Sequence, residues 1–194
     1  MIQYTYQHFE EDMVDVLGLS NIFGAQMVFA PSRGGLIPAV RLSHLKNIPL
    51  GLIESSRMDF VKATKILSNI PDEVTKIVIV DEILDSGATI IDILKAFDGL
   101  NRNLKVLVLP LVSLTTDLKI EDLKNITYEI IHIKNKHLKN IEKGTWVNFW
   151  WESPNNCGDC VNSEECNKNV LYAHCNIKDK SFPLNYDCPL FKQE

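Results

Sequence analysis

The sequence predicts an α/β protein: a mostly parallel twisted sheet flanked by helices, with a small Cys-rich C-terminal extension. Three observations carry this. Ile77, Val78, Ile79 and Val80 form an unbroken β-branched run, the pattern of a strand covered on both faces. Apolar runs of strand length alternate with helix-period segments along residues 1–152, as in a parallel sheet with crossover helices. All 5 cysteines fall after a Ser-Pro-Asn-Asn break at 153–156, which divides the chain into domains 1–152 and 153–194.

The elements follow in order. Phe9, Met13, Val16 and Leu17 share one face of an N-terminal helix. Met27-Val28-Phe29-Ala30 reads as a strand that runs into Pro31-Ser32-Arg33-Gly34-Gly35 and then another apolar-periodic stretch. A strand over 49–53 precedes the polar segment Glu54-Ser55-Ser56-Arg57-Met58-Asp59-Phe60. The strand over 76–80 ends in Asp81 and Glu82, then Asp85, Ser86, Gly87, Ala88 and Thr89 lead into a helix with Ile90, Ile93, Leu94 and Phe97 at helical spacing. Strands over 104–109 and 127–133 complete the sheet, with Pro110-Leu111-Val112-Ser113 following the first of them. Three tryptophans then crowd into Gly144-Thr145-Trp146-Val147-Asn148-Phe149-Trp150-Trp151-Glu152.

This arrangement places chemistry at one edge. Ligand crevices of open α/β sheets lie at the C-terminal ends of the strands, where Asp81 and Glu82 emerge. Backbone N–H groups at the following helix start, with the hydroxyls of Ser86 and Thr89, suit a dianionic phosphate, and Gly87 lets the backbone approach it. An ordinary Asp/Ser helix cap and, at 31–35, a tight turn with a solvated arginine are the plain alternatives for each segment alone.

Composition narrows the class. A chain of 194 residues, 45% hydrophobic, can bury one substantial core plus an appendage. A net charge of −5 without a basic run argues against extended nucleic-acid backbone binding. No basic apolar signal opens the chain and no apolar run approaches the ~18 residues of a membrane span. A cytoplasmic location is expected.

Together the segments resemble a known family. Four apolar residues, two acids and an Asp-Ser-Gly-x-Thr loop look like the phosphoribosyl-diphosphate signature of type I phosphoribosyltransferases, with Ala88 in place of the more usual second glycine. Ser32-Arg33-Gly34-Gly35-Leu36 resembles the pyrophosphate loop of bacterial xanthine-guanine phosphoribosyltransferases, and Trp146 to Glu152 resembles their base-binding stretch. The resemblance implies a purine phosphoribosyltransferase acting on phosphoribosyl diphosphate and a 6-oxopurine (guanine, xanthine or hypoxanthine). It implies that Ser32, Arg33 and Gly34 hold the diphosphate, with charge-assisted bonds from Arg33. Asp81, Glu82, Asp85, Ser86, Gly87, Ala88 and Thr89 would hold the phosphoribosyl group. Asp81 and Glu82 would lie near Mg²⁺, and Asp85 would accept the acceptor's proton or stabilise its developing charge. Trp146 would stack on the base, the backbone of Val147 would meet its edge and Glu152 would accept its N–H groups. Ser55, Ser56 and Arg57 would belong to a closing lid that excludes water. Homo-oligomers are usual in the family. The lysine that its members place after the strand following the phosphate helix is missing; Ser113, a backbone group there, or Lys134 from the next strand are the candidates to replace it.

Beyond residue 152, Cys157, Cys160, Cys166, Cys175 and Cys188 begin with a Cys-x-x-Cys pair. In a cytoplasmic protein this spacing suits metal rather than disulfides. Four of the five, or a set including His174, fit structural Zn²⁺ or a 4Fe–4S iron–sulfur cluster. Zinc is favoured because it needs no redox role. Two other classes stay open: a non-catalytic nucleotide or phosphoribosyl-diphosphate sensing regulator on the same fold, and a phosphoribosyl hydrolase or a transferase with a non-purine acceptor.

Overall fold

The computed structural model describes residues 2–56, 63–116, 118, 120, 122–133, 138 and 145–151, and the backbone of three short strands at 163–165, 172–175 and 180–183. In chain order the elements are β1 (Ile2–Tyr4), α1 (Tyr6–Phe23), β2 (Met27–Pro31), α2 (Leu36–Lys46), β3 (Leu50–Ser56), β4 (Ala63–Ile66), β5 (Lys76–Leu84), α3 (Ala88–Asp98), β6 (Leu104–Ser113), β7 (Ile126–Ile130), β8 (Val147–Phe149), β9 (Ser163–Glu165), β10 (Tyr172–Cys175) and β11 (Lys180–Pro183). They fall into two compact units: His8–Thr145, and Met1–Gln7 together with Trp146–Glu194. The domain boundary expected at 152 therefore lies inside the second of these units.

The larger unit is the predicted α/β sheet, in strand order β4-β3-β2-β5-β6-β7. Its strands pair in parallel except β4, which runs antiparallel to β3 at the edge. β2 is buried throughout, and Ile77 to Val80 of β5 are fully enclosed, as their lack of polar alternation requires. Met27, Phe29, Ile77, Ile79, Val106 and Val108 form one core with Ile90, Ile93, Leu94 and Phe97 of α3. Within it the Phe29 and Phe97 rings meet edge to face at 5.1 Å. Alternate residues of the same strands, such as Val28, Ala30, Val78 and Val80, are equally buried, and α2 packs on β2 and β5. Of the expected α1 face, Phe9, Met13 and Val16 are buried and Leu17 is half-buried; Asp12 and Ser20 complete the buried side, with the Ser20 hydroxyl donating to the Val16 carbonyl at 2.6 Å. Glu10 of α1 meets Arg41 of α2 at 2.7 Å.

The sequence-level boundaries shift at three places. β3 runs on to Ser56 because Glu54, Ser55 and Ser56 pair with Lys65, Thr64 and Ala63, so two of the expected lid residues belong to a strand. β5 runs on to Leu84 because Asp81, Ile83 and Leu84 stay in register with Pro110, Val112 and Ser113 of β6. β7 stops at Ile130, where its register with β6 ends.

The smaller unit joins both ends of the chain. β1 pairs in parallel with β8, matching Ile2, Gln3 and Tyr4 to Val147, Asn148 and Phe149. Aromatic rings hold it: Phe149 stacks on Trp151 at 4.9 Å, and Tyr4 lies 5.2 Å from Phe149. Tyr6 meets Trp150 edge to face at 5.3 Å. β9, β10 and β11 form a separate antiparallel sheet in the order β11-β10-β9. No helix among the described residues is long and apolar enough to cross a membrane.

Candidate active site

The sheet order decides where a ligand fits. From β2 the chain moves outward through α2 to β3, and from β5 it moves the opposite way through α3 to β6. β2 and β5 are neighbours, so their C-terminal ends flank the point where the direction of winding reverses. Crevices for ligands open at such points. The loops before α2 and α3 both leave from this edge.

The first loop, Ser32 to Gly35, folds back over the sheet. Ser32 N–H donates to the Ile53 carbonyl at 2.8 Å, and the Ser32–Arg33 peptide is cis. Gly34 lies directly against the Glu82 carboxylate, where a Cβ would collide with it, and a Cβ on Gly35 would come within 2.7 Å of the Val80 carbonyl oxygen. Two glycines are therefore needed for the loop to approach β5. Arg33 remains exposed beside this contact.

The second loop, Asp85 to Gly87, leaves the extended end of β5. Asp81 is buried and accepts the Glu82 backbone N–H at 3.0 Å. Glu82 is half-buried, and its Oε2 is shielded from solvent with no hydrogen-bond partner among the described residues. An oxygen held this way calls for a donor or a cation supplied by a ligand. Asp85 and Ser86 are exposed; Gly87 is buried with φ 78°, against which Leu118 packs. The left-handed turn falls on Gly87, so Ala88 is already the first helical residue and needs no glycine's freedom.

Both helices at this edge start in the same way. The residues before them are Gly35 and Gly87, and neither start has a side-chain cap. Ser86 Oγ is 3.5 Å from the Ala88 nitrogen, too long for an effective cap. Helix starts usually recruit Ser, Thr, Asp or Asn for this purpose. Leaving two of them without a cap at one sheet edge suits anion binding through the backbone and the helix dipole.

On the other side of β5 the structure brings in a pair that the sequence reading half missed. Ser113 ends β6 opposite Leu84, and its Oγ lies 2.8 Å from Nδ1 of His132. His132 went unnoticed, although a single imidazole in the apolar run Ile130-Ile131-His132-Ile133 was a visible signal. Lys134 and Arg57 lie outside the described residues, as do Glu152, Cys157, Cys160, Cys166 and Cys188. Cys175 and His174 fall on β10, next to each other in the backbone. Among the described residues no group of three or more His, Cys, Asp or Glu gathers to hold a metal ion. Asp81 and the unpaired oxygen of Glu82 are two carboxylates of the kind a hard cation takes while keeping several waters.

The expected base residues belong to the smaller unit. Trp146 is 70% exposed, which leaves its ring free of the packing that occupies Trp150 and Trp151. Its carbonyl accepts the Ile2 N–H at 2.9 Å, and Val147 is buried in β8.

The architecture matches solved structures. A Helicobacter pylori xanthine-guanine-hypoxanthine phosphoribosyltransferase aligns over 78% of this chain and 92% of its own, with a TM-score of 0.58 at 20% identity. The fold is that of the type I phosphoribosyltransferases. A purine phosphoribosyltransferase from Pyrococcus horikoshii Ot3 shares this fold over 79% of the chain and 95% of its own, with a TM-score of 0.51 at 23% identity. A hypothetical protein from Neisseria gonorrhoeae with bound ppGpp shares it over 78% and 89%, with a TM-score of 0.53 at 19% identity. No protein-family model and no curated protein sequence matches the chain. In the phosphoribosyltransferase fold, the two uncapped helix starts and the carboxylate pair of this chain stand together at one edge of the larger unit.

Proposed function

We propose that the protein is a purine phosphoribosyltransferase: it moves 5-phosphoribosyl from phosphoribosyl diphosphate to a 6-oxopurine, releasing diphosphate and a nucleoside monophosphate. The observation that carries this reading is the meeting of two uncapped, glycine-started helices with a carboxylate pair where the sheet reverses. One helix start suits the 5-phosphate and the loop before the other suits the diphosphate. The pair between them suits the ribose hydroxyls.

Bond cleavage at C1 of the sugar develops positive charge on the ring and negative charge on the departing diphosphate. Arg33 and the backbone N–H groups at the start of α2 neutralise the diphosphate. Asp81 and Glu82 hold the ribose hydroxyls and so fix C1 against the acceptor. Mg²⁺, when bound near the two carboxylates, would add charge neutralisation on the diphosphate. Asp85, exposed at the loop between β5 and α3, takes the proton from the attacking ring nitrogen or stabilises its charge. Trp146 stacks on the base, with the Val147 backbone and Glu152 at its edge, while Ser55, Ser56 and Arg57 close over the site. A cytoplasmic location and self-association belong to the same reading. So does metal in the C-terminal tail, with four of its five cysteines binding Zn²⁺ or an iron–sulfur cluster.

The test is diphosphate release by purified protein given phosphoribosyl diphosphate, Mg²⁺ and, separately, guanine, xanthine, hypoxanthine and adenine. Release with a 6-oxopurine, with its nucleotide formed, is the expected result. The second reading, a nucleotide-sensing regulator, is favoured by the ppGpp-bound neighbour. Tight binding of phosphoribosyl diphosphate or a nucleotide with turnover on no base would select it.

A further inference from the structure

We infer that Glu82 gates the diphosphate loop: its carboxylate lies against Gly34 and must leave before diphosphate can settle there, so the ribose and diphosphate halves of the substrate bind cooperatively. The inference rests on the transferase reading above, in which Gly34 holds diphosphate and Glu82 holds ribose hydroxyls. Ile77 and Ile79 face the α3 core, so strand alternation sets Glu82, with Val78 and Val80, on the face of β5 that α2 covers. That face brings it under the loop before α2. Both oxygens and the carboxyl carbon of Glu82 fall within the space that a Cβ on Gly34 would need. Gly35 closes the same loop onto β5, where a Cβ would come within 2.7 Å of the Val80 carbonyl oxygen. A carboxylate therefore sits on the loop at the point where the reading puts an anion.

Two properties make this contact a switch rather than a fixture. The carboxylate takes the room next to the Gly34 backbone and repels a second anion at short range, so it opposes diphosphate in both ways. It is also weakly held. Glu82 Oε2 is shielded from solvent and has no hydrogen-bond partner among the described residues, a costly state for a carboxylate oxygen. A ribose hydroxyl offers the missing donor, yet it can reach Oε2 only when the carboxylate swings off the loop. The hydroxyls therefore draw Glu82 out, and the same movement opens Gly34 to diphosphate. Each ligand favours the position that the other needs, which is the condition for coupling between two sites. Phosphoribosyl diphosphate carries its own ribose hydroxyls and opens the gate as it binds, whereas free diphosphate must displace Glu82 unaided. Glu82 thus selects the joined substrate over its own leaving group.

Calorimetry on the full chain measures the affinity for inorganic diphosphate with and without saturating ribose 5-phosphate, at one fixed Mg²⁺ concentration. In the wild type, ribose 5-phosphate should tighten diphosphate about tenfold, within the range of coupling between linked sites, and the reverse titration should return the same factor. Two anions at neighbouring sites without a gate repel each other. Absent or negative coupling in the wild type therefore overturns the inference and leaves the transferase reading intact. Glu82→Ala removes the gate, so diphosphate alone should bind about tenfold tighter than in the wild type, and ribose 5-phosphate should then change its affinity by less than about twofold. Glu82→Gln keeps the side chain's volume and its ability to bond a hydroxyl, so it should retain coupling of at least about threefold. Loss of coupling in both variants, or in neither, overturns the inference. Weaker diphosphate binding by Glu82→Ala does the same. Wild-type protein that binds neither ligand overturns the transferase reading, and this inference with it.

Discussion

The loops that open α2 and α3 share one plan, strand to glycine to uncapped helix, yet their glycines answer different demands. Gly34 and Gly35 are shaped by what they touch, the Glu82 carboxylate and the Val80 carbonyl, while Gly35 keeps an ordinary φ of −68°. Gly87 is shaped by how the chain turns, with φ 78°, and the neighbouring Asp85 and Ser86 stay exposed. The first loop and the carboxylate pair are therefore one mechanical piece, whereas the second loop presents its side chains independently. In the proposed reaction this separates work on the leaving group, done by the first loop, from proton handling, done by the second.

The largest effect should come from the second loop. Asp85→Asn keeps the side chain's size but removes its basicity, so turnover should fall by about 10²-fold, the scale of general-base contributions. Because Asp85 is exposed in the second loop while Arg33 and the start of α2 hold the diphosphate in this reading, affinity for phosphoribosyl diphosphate should be nearly unchanged. Steady-state rates with equilibrium binding measure the two separately; full turnover in this variant would remove the role assigned to Asp85. Arg33→Ala should show the converse split. Loss of charge-assisted bonds, about 1.5–3 kcal/mol, should weaken phosphoribosyl diphosphate roughly tenfold or more and leave ribose 5-phosphate binding alone. Parallel loss for both ligands would show that the two loops do not divide the substrate between them.

How much of this was legible in the sequence follows the same division. Ile77 to Val80 announced a central strand because no polar residue interrupts them, and the helical spacing of Ile90, Ile93, Leu94 and Phe97 located α3. Arg33 and Asp85 could be singled out because the loops around them resemble the diphosphate and phosphoribosyl loops of the type I phosphoribosyltransferases. The continuation of β5 through Asp81 and Glu82 was hidden, since two acids look like the end of a strand and the pairing with Pro110 to Ser113 is non-local. β4 was hidden because Ala-Thr-Lys-Ile is short and lacks a pattern. The pairing of β1 with β8 joins residues about as far apart as the larger unit is long, and three residues on each side carry no local sign of it. The contact of Gly34 with Glu82 was equally invisible, because it depends on β2 and β5 being neighbours.

That contact makes the next prediction. Gly34→Ala places a methyl group where the Glu82 carboxylate lies. The side chain must move or the loop must lift, at a cost of about 1–3 kcal/mol typical of overpacking. Shortening Glu82 to Ala in the same chain should recover part of that loss, because the two positions share one space. Urea unfolding of the two single variants and the double variant measures the coupling. Strictly additive losses would mean that the first loop and the carboxylate pair are mechanically separate after all.

The smallest effect tests the second loop's independence. The family pattern puts a second glycine where this chain has Ala88, and a sequence comparison alone would suggest that Ala88→Gly improves the phosphate loop. The structure argues otherwise. The left-handed conformation is taken by Gly87, and Ala88 is the first residue of α3, where an alanine is favoured over glycine by about 0.5–1 kcal/mol. Ala88→Gly should therefore lower stability by up to that amount and bring no gain in ribose 5-phosphate affinity, with a loss of at most about twofold, because fraying the first turn disorders the same N–H groups that the phosphate needs. A gain in phosphate affinity beyond that range would show that the loop of the parent chain is held back by Ala88, and that its conformation is set by the ligand rather than by Gly87.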